Sequence, residues 1–235
     1  MPRLAILLLI LVSASAGCTA DGEHGGSAKS DPNAGFVPLF NGRDLTGWTH
    51  ASRAGEGYRV KTYEARQGNS VAKEGVLYCT VKDGGNLITD KDYADFVLRL
   101  EFRLTPGANN GVAIRSPAQG RFSTEGMEIQ ILDDTAEKYA QLRPTQYCGS
   151  IYDVFAAERG HLRPIGEWNE EEITAKGDHV TIKLNGATIV DADLASVTDE
   201  KVLAKHPGLR SRSGRIGFLG HGAEVEFRNI FIKPL

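Results

Sequence analysis

No apolar run in this chain exceeds nine residues, and that run, Leu4–Val12, is the only one near its length. A bilayer core of roughly 30 Å takes about 20 apolar residues as a helix, so no helical membrane span is expected. Charge of one sign is also scarce. Lys and Arg number 27 against 30 Asp and Glu, a net charge of -3, which supplies no basic face for a nucleic-acid backbone. Cysteine is sparse at 3 residues. Cys79 and Cys148 have no second Cys/His pair beside them, so a zinc site of the usual spacing is not expected. Long amphipathic helical patterns and internal repeats are missing as well, which argues against bundles and solenoids. What is plentiful is glycine, 27 residues spread through the chain. Glycine scattered without low complexity points to many turns and therefore to many short strands.

The first segment reads as targeting sequence rather than fold. Arg3 precedes the apolar run. Small residues Ser13–Gly17 follow, and then Cys18. Small residues ahead of a cysteine resemble a bacterial lipobox, with Ser15 where leucine is usual. Residues 1–18 are therefore expected to be a lipoprotein signal peptide, with Cys18 the lipidated residue. The alternative is an ordinary signal peptide with Cys18 incidental. Thr19 after the cysteine, rather than Asp, fits outer-membrane sorting in a Gram-negative cell. The expectation is an exported protein held at the cell envelope, in the outer membrane or periplasm, by a lipid anchor alone. Residues 19–35 contain no apolar side chain larger than alanine and read as a flexible tether. Phe36, Val37, Leu39 and Phe40 open one domain, 36–235. Export permits a disulfide between Cys79 and Cys148; two buried thiols is the simpler expectation.

Within that domain the hydrophobic period is 2. In Phe96–Thr105 the apolar residues Phe96, Leu98, Leu100, Phe102 and Leu104 alternate with Arg99, Glu101 and Arg103. Asn185-Gly186 between two alternating runs marks a hairpin, because a type I′ turn needs positive φ at both central residues. The flanking strands are 179–184 and 187–191. Further strands are expected at 75–81, 111–116, 126–132, 215–219 and 224–233, with a helical turn or two in 134–141. The fold class is all-β, an antiparallel two-sheet sandwich.

Six segments then carry a resemblance. They are LFNGRDLTGW (39–48), DFVLRLEFR (95–103), PGANNGVAIR (106–115), GMEIQILDD (126–134), GEWN (166–169), and the end of the chain from Gly222 with its FRNIFIK. Taken in order they resemble the 3-keto-disaccharide hydrolase domain family. The resemblance implies a concanavalin A-like jelly roll and cleavage of glycosides whose sugar carries a ketone at C3. The family usually ends on a Leu-Gln-Asp-His-like stretch. Here the aligned residues are Phe218, Leu219, Gly220 and His221, which keeps the histidine and lacks the Gln and Asp.

Strand parity picks the polar candidates. Glu128 and Gln130 share one face of 127–131, and Gly111, Ala113 and Arg115 share one face of their strand. If these strands pair, Arg115, Glu128, Gln130 and the row Arg99, Glu101, Arg103 could line one concave floor for sugar hydroxyls. A solvated sheet face with cross-strand charge pairs is the alternative for that row. A ketone at C3 acidifies the C2 proton, so a base, a donor or cation at the keto oxygen, and an acid for the leaving group would suffice. Glu128, His221 and Asp133 are the proton-transfer candidates, and Arg115 or a divalent metal the oxyanion partner. Direct glycoside hydrolysis needs two carboxylates instead, which Glu128 with Glu101 or Asp133 could supply. Trp168 and Asn169 fall in a loop and are candidate substrate contacts, while Trp48 reads as a core anchor. Asp133-Asp134 could take a hard cation or simply be solvated. His161, His179 and His206 lack partner spacing and read as surface residues. The expected partner is a carbohydrate, with no nucleic acid; oligomeric state is not legible. A non-catalytic carbohydrate-binding module is the competing function. If Cys18 is lipidated, Cys18→Ala moves the protein from the membrane fraction to the soluble fraction on cell fractionation, and retention of the variant on membranes contradicts the anchor.

Overall fold

A computed structural model of the chain describes residues 34–51, 63–66, 75–79 and 85–235. Cys18, the expected signal peptide and nearly all of the expected tether lie outside the described residues. Gly35–Leu235 forms one compact unit.

The strands run in chain order as β1 (Val37–Pro38), β2 (Trp48–Ala51), β3 (Tyr63–Arg66), β4 (Val76–Cys79), β5 (Gly85–Thr89), β6 (Phe96–Leu104), β7 (Asn109–Ser116), β8 (Met127–Leu132), β9 (Trp168–Lys176), β10 (His179–Leu184), β11 (Ala187–Asp193), β12 (Arg215–Gly220) and β13 (Val225–Pro234). Two short helices, α1 (Phe122–Glu125) and α2 (Glu200–Lys205), and four single 3-10 turns complete the described residues. The larger sheet has the order β11-β10-β9-β6-β13-β4-β3, with β1 against β13, and the smaller has β2-β5-β12-β7-β8. All the pairings are antiparallel. This is the two-sheet sandwich that period-2 patterning specifies.

The core lies between the sheets. Leu98, Leu100 and Phe102 of β6 meet Val112, Ile114, Ile129 and Ile131 of β7 and β8 in one buried cluster. Phe218 of the smaller sheet joins it to the larger one, 4.2 Å from Phe227 and 5.6 Å from Trp48, ring centre to ring centre. Trp48 is buried, and its Nε1 donates to the Leu39 carbonyl at 3.0 Å. A second, small apolar cluster of Ile88, Ala113, Phe122 and Leu219 seals part of the outer face of the smaller sheet. Cys79 and Cys148 are buried thiols and form no disulfide.

Three expectations change. Residues 168–176 form a strand, not a loop: three successive acids, Glu170–Glu172, read as solvated, yet Asn169, Glu171, Ile173 and Ala175 alternate inward. The helical turn expected within 134–141 is present as a single 3-10 turn, Glu137–Tyr139. His206 is not a surface residue. It is 3% exposed at the end of α2, with Nε2 lacking a hydrogen-bond partner. Finally, parity fails at Arg115. The β7–β12 register slips between Arg215 and Gly217, and Arg115 takes φ 48°, so an extra residue bulges from β7. The bulge turns Arg115 away from the face of Gly111 and Ala113. Its fully buried guanidinium bonds the carbonyls of Ala94 (3.0 Å) and Gly177 (2.7 Å) and pairs with Asp95 at 2.9 Å. Burial draws its pKa below the ordinary value, and the Asp95 charge opposes that. Arg115 therefore ties the smaller sheet to turns of the larger one, and its wholly buried guanidinium is not presented to a substrate oxyanion.

Glu171 is the costliest residue in the core. It points inward between Leu100 and Leu184, neither carboxylate oxygen has a partner, and burial pushes its pKa from 4.5 up to about 8. Because the folded value lies above the unfolded one, the proton is held by the folded chain and released by the unfolded chain between pH 4.5 and 8. The Glu171 contribution to stability is therefore fully present below pH 4.5 and is lost as pH rises toward 8, by about 1.4 kcal/mol per unit at most. Glu171→Gln removes the titration. Urea melts should show the variant and parent alike near pH 4 and the variant ahead by about 3 kcal/mol at pH 7; parallel pH profiles would contradict a buried, unpaired carboxyl.

Candidate active site

The outward face of the smaller sheet carries a buried acid with one oxygen left unpaired. Glu128 on β8 is 3% exposed. Parity aims it out of the core, since Met127, Ile129 and Ile131 fill the inward positions. Its cross-strand partner on β7 is Ala113, and Gly111 lies one pleat along. The carboxylate leans diagonally over that glycine: a Cβ at Gly111 would stand 2.2 Å from Glu128 Oε1 and 2.7 Å from its Cγ. The glycine thus provides the room the carboxylate occupies. Beyond Gly111 lies β12, and His221 follows it directly, with Nε2 3.6 Å from Glu128 Oε1. That distance is too long for a good hydrogen bond, and Oε1 has no partner. His221 is half exposed, at 49%, so it forms the solvent side of the pair. Gln130, next on the same face, donates from Nε2 to Asn109 Oδ1 at 2.9 Å.

The other flank of β8 is covered by an irregular segment that the sequence did not disclose. Gln130 N–H donates to the Ser150 carbonyl at 3.0 Å and Tyr152 N–H to the Glu128 carbonyl at 2.8 Å. Ile129 and Ile151 bridge between them, both buried in the core. Antiparallel pairing then puts Ser150 beside Gln130 and Tyr152 beside Glu128, on the outward face. Asp153 takes φ 62°, and its carboxylate is gripped by Arg143 and Lys205. Burial raises the Asp153 pKa, but the hydrogen bonds and charges of those two cations lower it more, so it stays ionised below the ordinary range.

The remaining predicted site residues lie elsewhere. Arg99, Glu101 and Arg103 face outward from the larger sheet, on the opposite side of the sandwich from Glu128, so no single floor contains both. They form cross-strand charge pairs: Arg99 with Glu172 at 2.7 Å, Arg103 with Glu226, and Glu101 with Arg228 at 2.6 Å. Trp168 belongs to that same outer face, with the guanidinium carbons of Arg228 and Arg103 4.1 and 4.8 Å from its ring centre. Asn169 is buried. Its Oδ1 accepts from Arg163 N and Asn185 Nδ2, each at 2.9 Å, which pins the Asn185-Gly186 hairpin.

Asp133 is buried too. Burial raises its pKa, but hydrogen bonds from Thr135, Gly107 and Ala136 outweigh that and lower it. With Oδ2 held by Gly107 N–H at 2.7 Å and Oδ1 by Thr135, it braces a turn and has no free edge for proton transfer. Asp134 turns the other way, to Cys148 N–H at 2.9 Å, so the two acids do not converge on a cation. Among the described residues no group of three or more His, Cys, Asp or Glu side chains stands at metal-binding spacing. The sequence-predicted residues that meet on one face are Glu128, Gln130 and His221. Tyr152 joins them.

The model of the 3-keto-alpha-glucoside-1,2-lyase-like domain matches residues 35–233. The chain belongs to this family. A 3-keto-disaccharide hydrolase of Bacteroides thetaiotaomicron is 23% identical, over 86% of this chain and 79% of its own length. A Parabacteroides distasonis protein provisionally classed as a glycosyl hydrolase superposes with a TM-score of 0.70 at 26% identity, covering 85% of this chain and 99% of that one. A Bacillus subtilis protein with a galectin-like fold, at 11% identity, superposes with a TM-score of 0.50 over 80% of this chain and 90% of its own. The jelly-roll sandwich and the relation to glycoside-cleaving proteins stand on these likenesses.

Gly111→Ala tests the geometry directly. The clash falls on the Glu128 side chain from Cγ to the carboxylate, with no backbone atom among the nearest contacts, so the family fold should hold with a lowered melting temperature. A crystal structure of the variant should show the Glu128 carboxylate displaced and its separation from His221 changed from 3.6 Å. An unmoved Glu128 would contradict the packing described.

Proposed function

We propose that this chain cleaves the glycosidic bond of 3-keto-glycosides, with Glu128 as the base. The carrying observation is a buried carboxylate oxygen without a hydrogen-bond partner, placed on a glycine floor beside a half-exposed histidine. Withdrawn from water with one oxygen left unpaired, such a group is poised to accept a proton.

The chemistry follows from the substrate. Glu128 takes the C2 proton. The C2–H electron pair moves into the C2–C3 bond and the ketone π pair onto the C3 oxygen, giving an enolate. The enolate collapses, the C1–O bond breaks, and the leaving oxygen receives a proton from His221. Water then adds at C1 and gives up a proton to His221, and Glu128 returns a proton to C2, which restores both side chains. A two-carboxylate displacement would need a second acid across the sugar. The proposed partners do not serve: Glu101 is on the other sheet, and Asp133 is bound to backbone N–H groups. Elimination followed by addition needs only one carboxylate, which supports that route.

The competing reading, a carbohydrate-binding module, has one observation in its favour. Where the family motif places a glutamine, this chain has Leu219, 4% exposed and packed under Phe122. We also propose export and lipid anchoring through Cys18, on the sequence pattern alone.

Glu128→Gln separates the readings. It keeps shape and removes basicity, so turnover of a 3-keto-glycoside should fall by about 10²–10⁴-fold while its dissociation constant changes little. Unchanged turnover would remove Glu128 from catalysis, and sugar binding without turnover in the parent protein would favour the module.

A further inference from the structure

Tyr152 lies on this face and takes no part in the steps assigned to Glu128 and His221. It lies directly across from Glu128 in the pairing, on the side away from His221. Glu128 therefore stands between two hydrogen-bonding side chains. In the substrate, C2 likewise stands between two oxygen-bearing carbons, C1 with the leaving group and C3 with the ketone. A base centred on C2 brings one flanking side chain to each.

The hydrogen-bond directions around Tyr152 are fixed by their neighbours. Arg143 N–H donates to Gln146 Oε1 at 3.1 Å. That orients the Gln146 amide, so the atom 3.1 Å from the Tyr152 hydroxyl is Nε2, a donor. The hydroxyl must accept from it. Its own proton is then directed elsewhere, and an accepted hydrogen bond polarises an O–H toward donation. The turn that holds Gln146 is itself clamped, because Arg143 and Lys205 both grip Asp153 and Asp153 N–H donates to the Thr145 carbonyl at 2.9 Å.

We propose that Tyr152 binds the C3 keto oxygen of the substrate and donates a hydrogen bond to the enolate that forms there. No proton is transferred; the phenol stabilises negative charge as it develops. The inference rests on the reading of Glu128 as the C2 base. It gives this chain an oxyanion partner in place of Arg115, whose donors are committed elsewhere.

The test uses two 3-keto-glucosides, one with a second sugar and one with 4-nitrophenol as leaving group. Tyr152→Phe should lower kcat by on the order of 10²-fold on both substrates alike, because enolate formation precedes loss of the leaving group. KM should shift far less. Gln146→Glu supplies a check that keeps the phenol. Its carboxylate can accept from both Arg143 N–H and the Tyr152 hydroxyl, which redirects the phenolic proton away from substrate and should reproduce the same loss. If the loss on Tyr152→Phe disappears with the nitrophenyl substrate, Tyr152 serves the leaving group and the proposal is overturned. Unaltered kcat on both substrates overturns it too, while leaving Glu128 as base intact. A parent protein inert on both substrates overturns the functional reading, and this inference falls with it.

Discussion

A carboxylate kept from water without a partner is expensive, and the arrangement around Glu128 is what makes it tolerable. Withdrawing an ionised group from solvent costs several kcal/mol unless hydrogen bonds or charges compensate. The structure gives Glu128 a bare glycine to lie over, a half-exposed histidine at one side and a tyrosine-bearing segment at the other. None of these hydrogen-bonds Oε1. The compensation is spread over the fold: a continuous core between two sheets, and an arginine that turns out of its strand to tie those sheets together. That arginine lost its apparent role in the site and gained one in holding the sheet from which the site projects.

The two sides of the sandwich divide labour by charge. On the outer face of the larger sheet, Arg99, Glu101 and Arg103 each meet an opposite charge on a neighbouring strand, and half-exposed pairs of this kind contribute little to stability. Their value lies in register and solubility. On the smaller sheet the outward residues of β7 and β12 beside Glu128 are small or apolar, Gly111, Ala113 and Leu219, so one acid can dominate the local chemistry. The family resemblance is consistent with that division, since its motifs supply residues to both faces and only part of them surrounds Glu128.

How much of this could be read from the residues depended on whether pairing was needed. Alternation along Phe96–Leu104 and Met127–Leu132 assigned faces correctly because each strand carries that information alone. The hairpin at Asn185-Gly186 was legible for the same reason, and both residues take positive φ. Arg115 was misplaced because a bulge appears only once the register with β12 is known. The strand at 168–176 was hidden by Glu170–Glu172, whose middle member is driven inward against its own solvation. Glu101 and Glu128 looked like neighbours because parity defines a face but not which sheet owns it. Tyr152 escaped notice because residues 149–152 have no strand pattern; only their hydrogen bonds to β8 reveal the side on which the ring lies.

The central claim is that Glu128 works on C2 rather than on C1. Running the cleavage in heavy water reads this without any variant. The product sugar is trapped at once by reduction of its ketone, and deuterium is located by mass spectrometry or NMR. Elimination followed by addition places solvent deuterium at C2 whenever the proton on Glu128 exchanges before it is returned, and a substrate deuterated at C2 should turn over more slowly. A product that keeps its original hydrogen at C2, together with no slowing of the C2-deuterated substrate, would show direct displacement at C1 and contradict the account.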